Sequence, residues 1–263
     1  MCAQYVSMAL CSERHPIHTT SFCSERFYQC MVCVSMIQMP HGSLSEAKDR
    51  LIERLKNMGY IRSEAVERAF RRVPREEFVL PHMRSDAYRD TPLPILKGQT
   101  ISAPHMCAIM CEDLRLKEGH QVLEVGAGSG YHAALCAEIV APAGSPTPGH
   151  VYTIEIIGDL VRFARENLER AGYADRVTLI RGDGGLGLPE HAPFDRILVT
   201  AAAPAVPPPL VEQLAPGGVM LIPVGSRGFF QSLVIVEKTS DSKIRQRHWG
   251  GVAFVPLTGR FGH

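Results

Sequence analysis

Four stretches of this 263-residue chain carry residues whose types and spacing suit chemistry. In KGQTISAPHM, residues 97–106, two hydroxyls (Thr100 and Ser102) and one histidine (His105) stand together with no acid and no cysteine. In LEVGAGSGYH, residues 123–132, Gly126, Gly128 and Gly130 end an apolar run and open a helical one. Glycines there let backbone approach a ligand closely, and a helix N-terminus favours negative charge. The spacing is GxGxG and not the GxGxxG of dinucleotide binders, and on its own it can be no more than a tightly packed turn. YTIEI then puts Glu155 at the carboxyl end of the next strand, where a carboxylate can accept bonds from two ribose hydroxyls. RGDGG puts Asp183 after the third strand, where it can accept from an adenine amino group, with Gly184 leaving space beside the ring. An isolated Asp-Gly is more often a turn. Three such features at three successive strand ends point instead to a nucleoside site.

The elements that must position these residues are legible in the patterning. Ser43 and Glu46 have capping-box spacing ahead of apolar Leu44, Ala47, Leu51, Leu55 and Met58, and Gly59 stops the helix. A second short helix spans residues 63–74, with Ser63 as N-cap and Pro74 past its end. Pro104 suits the first turn of a helix over 104–116. From Gln121 on, strand and helix signals alternate: QVLEV, HVYTIEI, VTLIRGD, FDRILVTA, GVMLIPVG, QSLVIVEKT and a last run WGGVAFVPLTG. Strands separated by helices of this length imply a mostly parallel sheet, and the last strands, which lack intervening helices, imply an antiparallel edge hairpin. The expected fold is therefore α/β and doubly wound, with a helical preamble. The expected division is a leader over 1–42 without a fold of its own and a domain over 43–263, whose residues 43–116 form the preamble and lid and 117–263 the α/β core. APAGSPTPG, residues 141–149, reads as a surface loop.

Composition narrows the function classes. A formal net charge of +1 argues against an extended footprint for nucleic acid or an anionic membrane, and no apolar run approaches the 18 or so residues that cross a bilayer. Five of the eight cysteines fall in the first 33 residues, where CMVC, Cys30 to Cys33, lacks the second pair that a zinc site needs. Cys107, Cys111 and Cys136 lie on apolar helix faces, as small hydrophobes do. No metal is expected, nor a secretory signal, so the expected setting is cytoplasmic and the expected state a monomer.

VLEVGAGSGY, TIE and QLAPGGVMLIPVG resemble the class I S-adenosylmethionine-dependent methyltransferases. GQTISAPHM, the DGxxGxPxxAPxD pattern beginning at Asp183, and AAAP at 201–204 resemble the protein-L-isoaspartate O-methyltransferases in particular. The resemblance runs from Ser43 to Thr258. It implies that S-adenosyl-L-methionine is the cofactor, contacted by Gly126, Gly128, Gly130, Glu155, Asp183 and Gly184, with Glu124 at the head of the glycine loop. It implies that Thr100 and Ile101 lie over the methionine end, that Ser102 is the active-site serine, and that Thr258 borders the same cavity. Cys107 stands where some members carry a histidine, which puts one secondary cofactor contact in doubt. The substrates it implies are L-isoaspartyl residues in damaged peptides and proteins, with no nucleic acid and no membrane.

That resemblance explains a hydroxyl without a base. An isoaspartyl carboxylate, with a free-acid pKa of about 4, is already ionised at neutral pH, so no proton has to be removed. Ser102 then serves to orient the acceptor and is not a nucleophile. Its plainer reading is an N-cap for the helix at 104. His105 reads as a helix-start residue packed on the cofactor before it reads as an acid or base, and Arg227 as a solvated loop cation. A nucleic-acid methyltransferase is opposed by the charge balance, and a nicotinamide oxidoreductase by the glycine spacing. A module that binds without turnover is opposed by the intact Thr-Ile-Ser.

Overall fold

The computed structural model describes residues 43–226 and 231–263. The leader, Cys30, Cys33 and Arg227 lie outside them. The first helix, α1 (Leu44–Asn57), begins as its capping box dictates, the Glu46 N–H donating to Ser43 Oγ at 3.2 Å. In α2 (Glu64–Arg72) the Val66 N–H donates to Ser63 in the same way. The preamble is helical only in part. Between α2 and α3 (Pro104–Asp113) lie 3-10 turns and a short antiparallel pair, β1 (Leu93–Pro94) and β2 (Thr100–Ile101), that no alternation in the sequence announced. Helix α3 also stops three residues before the expected 116.

The core is a seven-stranded sheet in the order β5-β4-β3-β6-β7-β8-β9. Its strands are β3 (Gln121–Val125), β4 (His150–Glu155), β5 (Val177–Arg181), β6 (Phe194–Val199), β7 (Leu214–Gly225), β8 (Gln231–Lys238) and β9 (Ile244–Val252). Pairing is parallel from β5 through β7 and antiparallel across β7-β8-β9, as the patterning implies. Helices α4 (Tyr131–Val140), α5 (Gly158–Arg170) and α6 (Pro208–Glu212) complete the crossovers. Among the described residues no helix is long and apolar enough to cross a membrane.

Strand alternation divides the core into two layers. Val122, Leu198, Val219 and Leu221 pack with the preamble helices, α4 and α5, while Leu123, Ile197, Met220 and Ile222 pack with Leu210 of α6. The chain runs outward through β3, β4 and β5 and returns to β6 on the other side of β3, so the switch point lies between β3 and β6.

The last strand differs from expectation. It starts at Ile244 and ends at Val252, so residues 253–258 are outside the ladder. The Gln231 side chain explains the departure: its Oε1 accepts the Phe254 N–H at 2.6 Å and its Nε2 donates to the Phe254 carbonyl at 2.9 Å. A side chain thereby replaces the neighbouring strand, and the freed segment crosses to Ala202, which bridges Pro256.

A buried carboxylate clamps the preamble to the sheet. Glu138 on α4, 2% exposed, meets Arg72 at 3.2 Å and Arg176 at 3.2 Å, and accepts from the Tyr173 hydroxyl at 3.3 Å. Removing one member of such a group strands the charges left behind. With Arg72 54% exposed and Arg176 20% exposed, water takes up part of that charge, so Glu138→Ala is expected to lower stability by about 1–3 kcal/mol, read from urea midpoints at constant m-value. A loss under about 1 kcal/mol would mean that the arginines are solvated well enough without it.

Candidate active site

The site is built at the carboxyl ends of β3, β4 and β6. As β3 ends, the Gly126 and Ala127 N–H groups both donate to the Ile154 carbonyl of β4, at 2.8 and 3.2 Å. The loop then turns so that the Gly128 N–H donates to Glu155 Oε2 at 3.0 Å, while Glu155 Oε1 accepts from the Ile157 N–H at 2.9 Å. Glu155 is 6% exposed, so two backbone donors fix a nearly buried carboxylate at the strand end. Gly126 sits at φ +96°, and a Cβ there would fall 2.5 Å from Thr200 Oγ1. Thr200, at the end of β6, donates to the Gly126 carbonyl at 2.7 Å. This contact across the switch point requires glycine.

One cavity gathers most of the expected residues. Thr100, Ile101, Ser102, Glu124, Gly126, Gly128, Glu155, Gly184 and Thr258 all line it. Gly130 and Asp183 do not. Gly130, at φ +86°, is the N-cap of α4, and a Cβ there would press on Leu168 and the Ala164 carbonyl, so it serves helix packing. Asp183, expected to face a purine amine, accepts one backbone bond at each oxygen, which leaves each with a lone pair to spare. Oδ1 accepts from the Gly185 N–H at 2.9 Å and Oδ2 from the Arg260 N–H at 2.7 Å. Its place in the structure is to pin the C-terminal segment, with Leu257 and Thr258, against the cavity. Gly184 lines the cavity, but its missing side chain first makes room for Val125, whose Cγ1 lies 2.4 Å from where a Cβ would stand.

Ser102 is not an N-cap. Ala103 occupies that position without a capping side chain, and Asp90 from the preceding loop substitutes, its Oδ1 accepting the His105 N–H at 2.9 Å. The Ser102 hydroxyl has no hydrogen-bond partner among the described residues, while its carbonyl accepts from Arg75 Nη2 at 2.8 Å. Arg75 is fully buried, bonds the Ala87 carbonyl as well, and lies 4.7 Å from the Tyr131 ring centroid. His105 does not reach the cofactor cavity. Its Nδ1 pairs with Asp90 at 2.8 Å, and it borders a neighbouring groove. That groove is formed by Pro92, Ala103, Met106 and residues 251–255, and it shares Thr100, Ser102 and Thr200 with the cofactor cavity. Three hydroxyls thus form the junction of two concavities.

Electrostatics select the ligand. Glu124 is fully buried, its Oε2 accepting from the Thr153 hydroxyl at 2.5 Å and its Oε1 without a partner. Burial pushes its pKa up to about 8, opposed by the Thr153 hydroxyl and reinforced by the Glu155 charge. Among the described residues neither lysine nor arginine lines the cavity. His132 does, but burial and then the Arg75 charge push its pKa down to about 3, leaving it neutral. The Glu155 carboxylate, beside a buried Glu124 that holds its proton until a positive charge arrives, suits a positively charged ligand. A pyrophosphate would meet repulsion there, which removes the dinucleotide reading. Sequence reasoning missed Thr200, Asp90, Arg75 and His132. The threonine closing FDRILVT, at the fourth strand end, was the one local signal available.

Comparison with known proteins agrees with this architecture. The family model for protein-L-isoaspartate(D-aspartate) O-methyltransferase matches residues 46–262. A protein-L-isoaspartate O-methyltransferase of Hyperthermus butylicus is 62% identical over 219 residues, covering 82% of this chain and 90% of that one. One of Methanopyrus kandleri is 58% identical over 216 residues, covering 82% and 93%. Among solved structures, a Plasmodium falciparum protein assigned to the same activity, in complex with S-adenosyl-L-homocysteine, superposes with a TM-score of 0.70. It is 31% identical, over 80% of this chain and 97% of that one.

Two outcomes are expected. Gly126→Ala should weaken S-adenosylhomocysteine binding roughly 5–100-fold by calorimetry, the cost of about 1–3 kcal/mol of strain in the loop. Gly128→Ala, at φ +54° but with only Ile95 at 3.6 Å, should weaken binding too while lowering the Tm of the free protein less than Gly126→Ala does; equal Tm losses would sink the steric account. For Glu124, a folded pKa of about 8 against an ordinary 4.5 means the folded chain holds the proton more tightly. That contribution to stability is complete below about pH 4.5 and is lost as pH rises through about 8. Urea unfolding at pH 5 and pH 8.5 should therefore show wild type losing on the order of 2–4 kcal/mol relative to Glu124→Gln over that interval.

Proposed function

The chain belongs to the protein-L-isoaspartate(D-aspartate) O-methyltransferase family, and from that membership we propose how its residues divide the work. The reaction is methylation of the free carboxylate of L-isoaspartyl residues in damaged peptides and proteins. The observation that carries the reading is a cavity with two carboxyls and, among the described residues, no lysine or arginine, opening through Thr100, Ser102 and Thr200 onto a second groove. When bound, S-adenosyl-L-methionine supplies a methyl group on a sulfonium, whose departure leaves a neutral thioether.

The residues of this chain do the rest. Glu155, already fixed by two N–H groups, has lone pairs left for the ribose hydroxyls. Glu124, whose unpartnered Oε1 is buried and whose carboxyl gives up its proton as positive charge arrives, answers the cationic methionine end. Thr100, Ile101 and Thr258 wall the cavity, and Gly126, Gly128 and Gly184 let the ligand lie close to backbone. Asp183 holds the segment that carries Thr258 and keeps a lone pair at each oxygen for the adenine amino group. The acceptor carboxylate needs no base, so what remains is desolvation and alignment, which can supply about 7–11 kcal/mol of a barrier. Ser102 has a spare hydroxyl at the junction, and donating it to one carboxylate oxygen leaves the other free for attack. Backbone at residues 251–253, beside the outer edge of β9, suits strand-like pairing with an extended peptide. The methyl ester so formed closes to a succinimide as methoxide leaves, and ring hydrolysis returns some normal aspartyl linkage. This reading carries with it a monomeric, cytoplasmic enzyme that acts on polypeptide.

The test uses methyl-labelled S-adenosylmethionine and two peptides that differ only in an isoaspartyl or aspartyl linkage. Base-labile label is expected on the isoaspartyl peptide alone. Ser102→Ala should lower kcat about 10–100-fold, the worth of one hydrogen bond to a charged group, with S-adenosylhomocysteine affinity within about twofold. Unchanged turnover in that variant would remove Ser102 from catalysis.

A further inference from the structure

In the wall of the cofactor cavity, which His132 also lines, α3 and α4 bring together Cys111, His132 and Cys136. All three are buried, and one sulfur or nitrogen atom from each lies within 4.8 Å of the other two. Cys111 Sγ is 3.5 Å from His132 Nε2. A tetrahedral zinc centre with Zn–S near 2.3 Å and Zn–N near 2.0–2.1 Å separates sulfur from nitrogen by about 3.6 Å. The geometry points to a site for one thiophilic divalent cation, Zn(II) in character, held by the thiolates of Cys111 and Cys136 and by Nε2 of His132.

Charge and chemistry fit the assignment. Burial keeps the His132 ring neutral, which is the ligating form of imidazole. Binding displaces one proton from each thiol, so a doubly charged cation, two thiolates and a neutral ring sum to zero. A neutral complex avoids the cost of an uncompensated charge in an apolar wall, whereas a monovalent ion would leave one negative charge there. Two sulfurs and one nitrogen are the soft donor set that prefers zinc to magnesium or calcium. Three protein ligands leave the fourth position for water. The helix register supplies the arrangement: His132 and Cys136 are four residues apart on α4 and so share a face, and Cys111 lies near the end of α3 packed against it. The assignment does not depend on the methyl-transfer reading.

The experiment compares the full chain with its Cys111→Ala/Cys136→Ala variant, because residues 1–42 hold five further cysteines whose uptake must cancel. Both are dialysed against buffered Zn(II), and bound metal is counted per chain, with S-adenosylhomocysteine binding as the check that the variant is folded. The expected result is one equivalent fewer in the variant, together with loss of the zinc-dependent rise in Tm. Equal uptake in two folded proteins overturns the site. Should the variant fail to fold, the wild type decides: the ring nitrogen resonances of His132 are recorded with and without Zn(II). A shift at Nε2 supports ligation, and unchanged resonances at saturating metal overturn it.

Discussion

The loop that gives the site its shape is held by one carboxylate. Glu155 lies at the end of β4, yet its two oxygens accept from Gly128, beyond β3, and from Ile157, at the start of α5. Two connections that would otherwise wander are bound to one point, and the Ile154 carbonyl beside it takes two more N–H groups of the glycine loop. The buried polar groups of the loop are satisfied by the neighbouring strand end before any ligand arrives, which is what preorganisation requires. Thr200 closes the arrangement from the opposite side, at the switch point, where only glycine fits beneath it.

A second constraint runs through the Thr-Ile-Ser segment. A serine just before a helix ordinarily spends its oxygen on the helix. Here Asp90 performs the capping, and buried Arg75 holds the Ser102 carbonyl, so the hydroxyl stays uncommitted at the junction of two concavities. Structural work around Ser102 is done by residues distant in sequence, and that is what leaves it available. The same division appears at Asp183, whose carboxylate organises backbone so that neighbours can face the cavity.

How much of this was legible follows from the range of each interaction. The five parallel strands and the antiparallel edge came from local periodicity, which burial on both faces enforces residue by residue. The glycine loop, Glu155 and the Thr-Ile-Ser segment were visible because each is a short motif at a strand or helix end. Asp90 and Arg75 were not, because each acts on a partner 12 to 27 residues away, where nothing in spacing marks the pair. The early end of β9 was hidden for a related reason: VAFVP has strand-like composition, and only the Gln231 side chain, 23 residues upstream, diverts it. Ser102 as a cap was a reasonable local reading that tertiary contacts overrode.

The C-terminal segment has a bearing on synthesis. Leu257 and Thr258 wall the cofactor cavity, and Asp183 grips the backbone of Arg260 to hold them there. Every other lining residue is made earlier, and the sheet's parallel core needs nothing beyond Leu221 to pair. A growing chain can therefore assemble its glycine loop and central strands while the last wall is still inside the ribosome. The pocket acquires its closing side only after residue 260 has emerged, so the cavity is completed later than the central sheet that supports it.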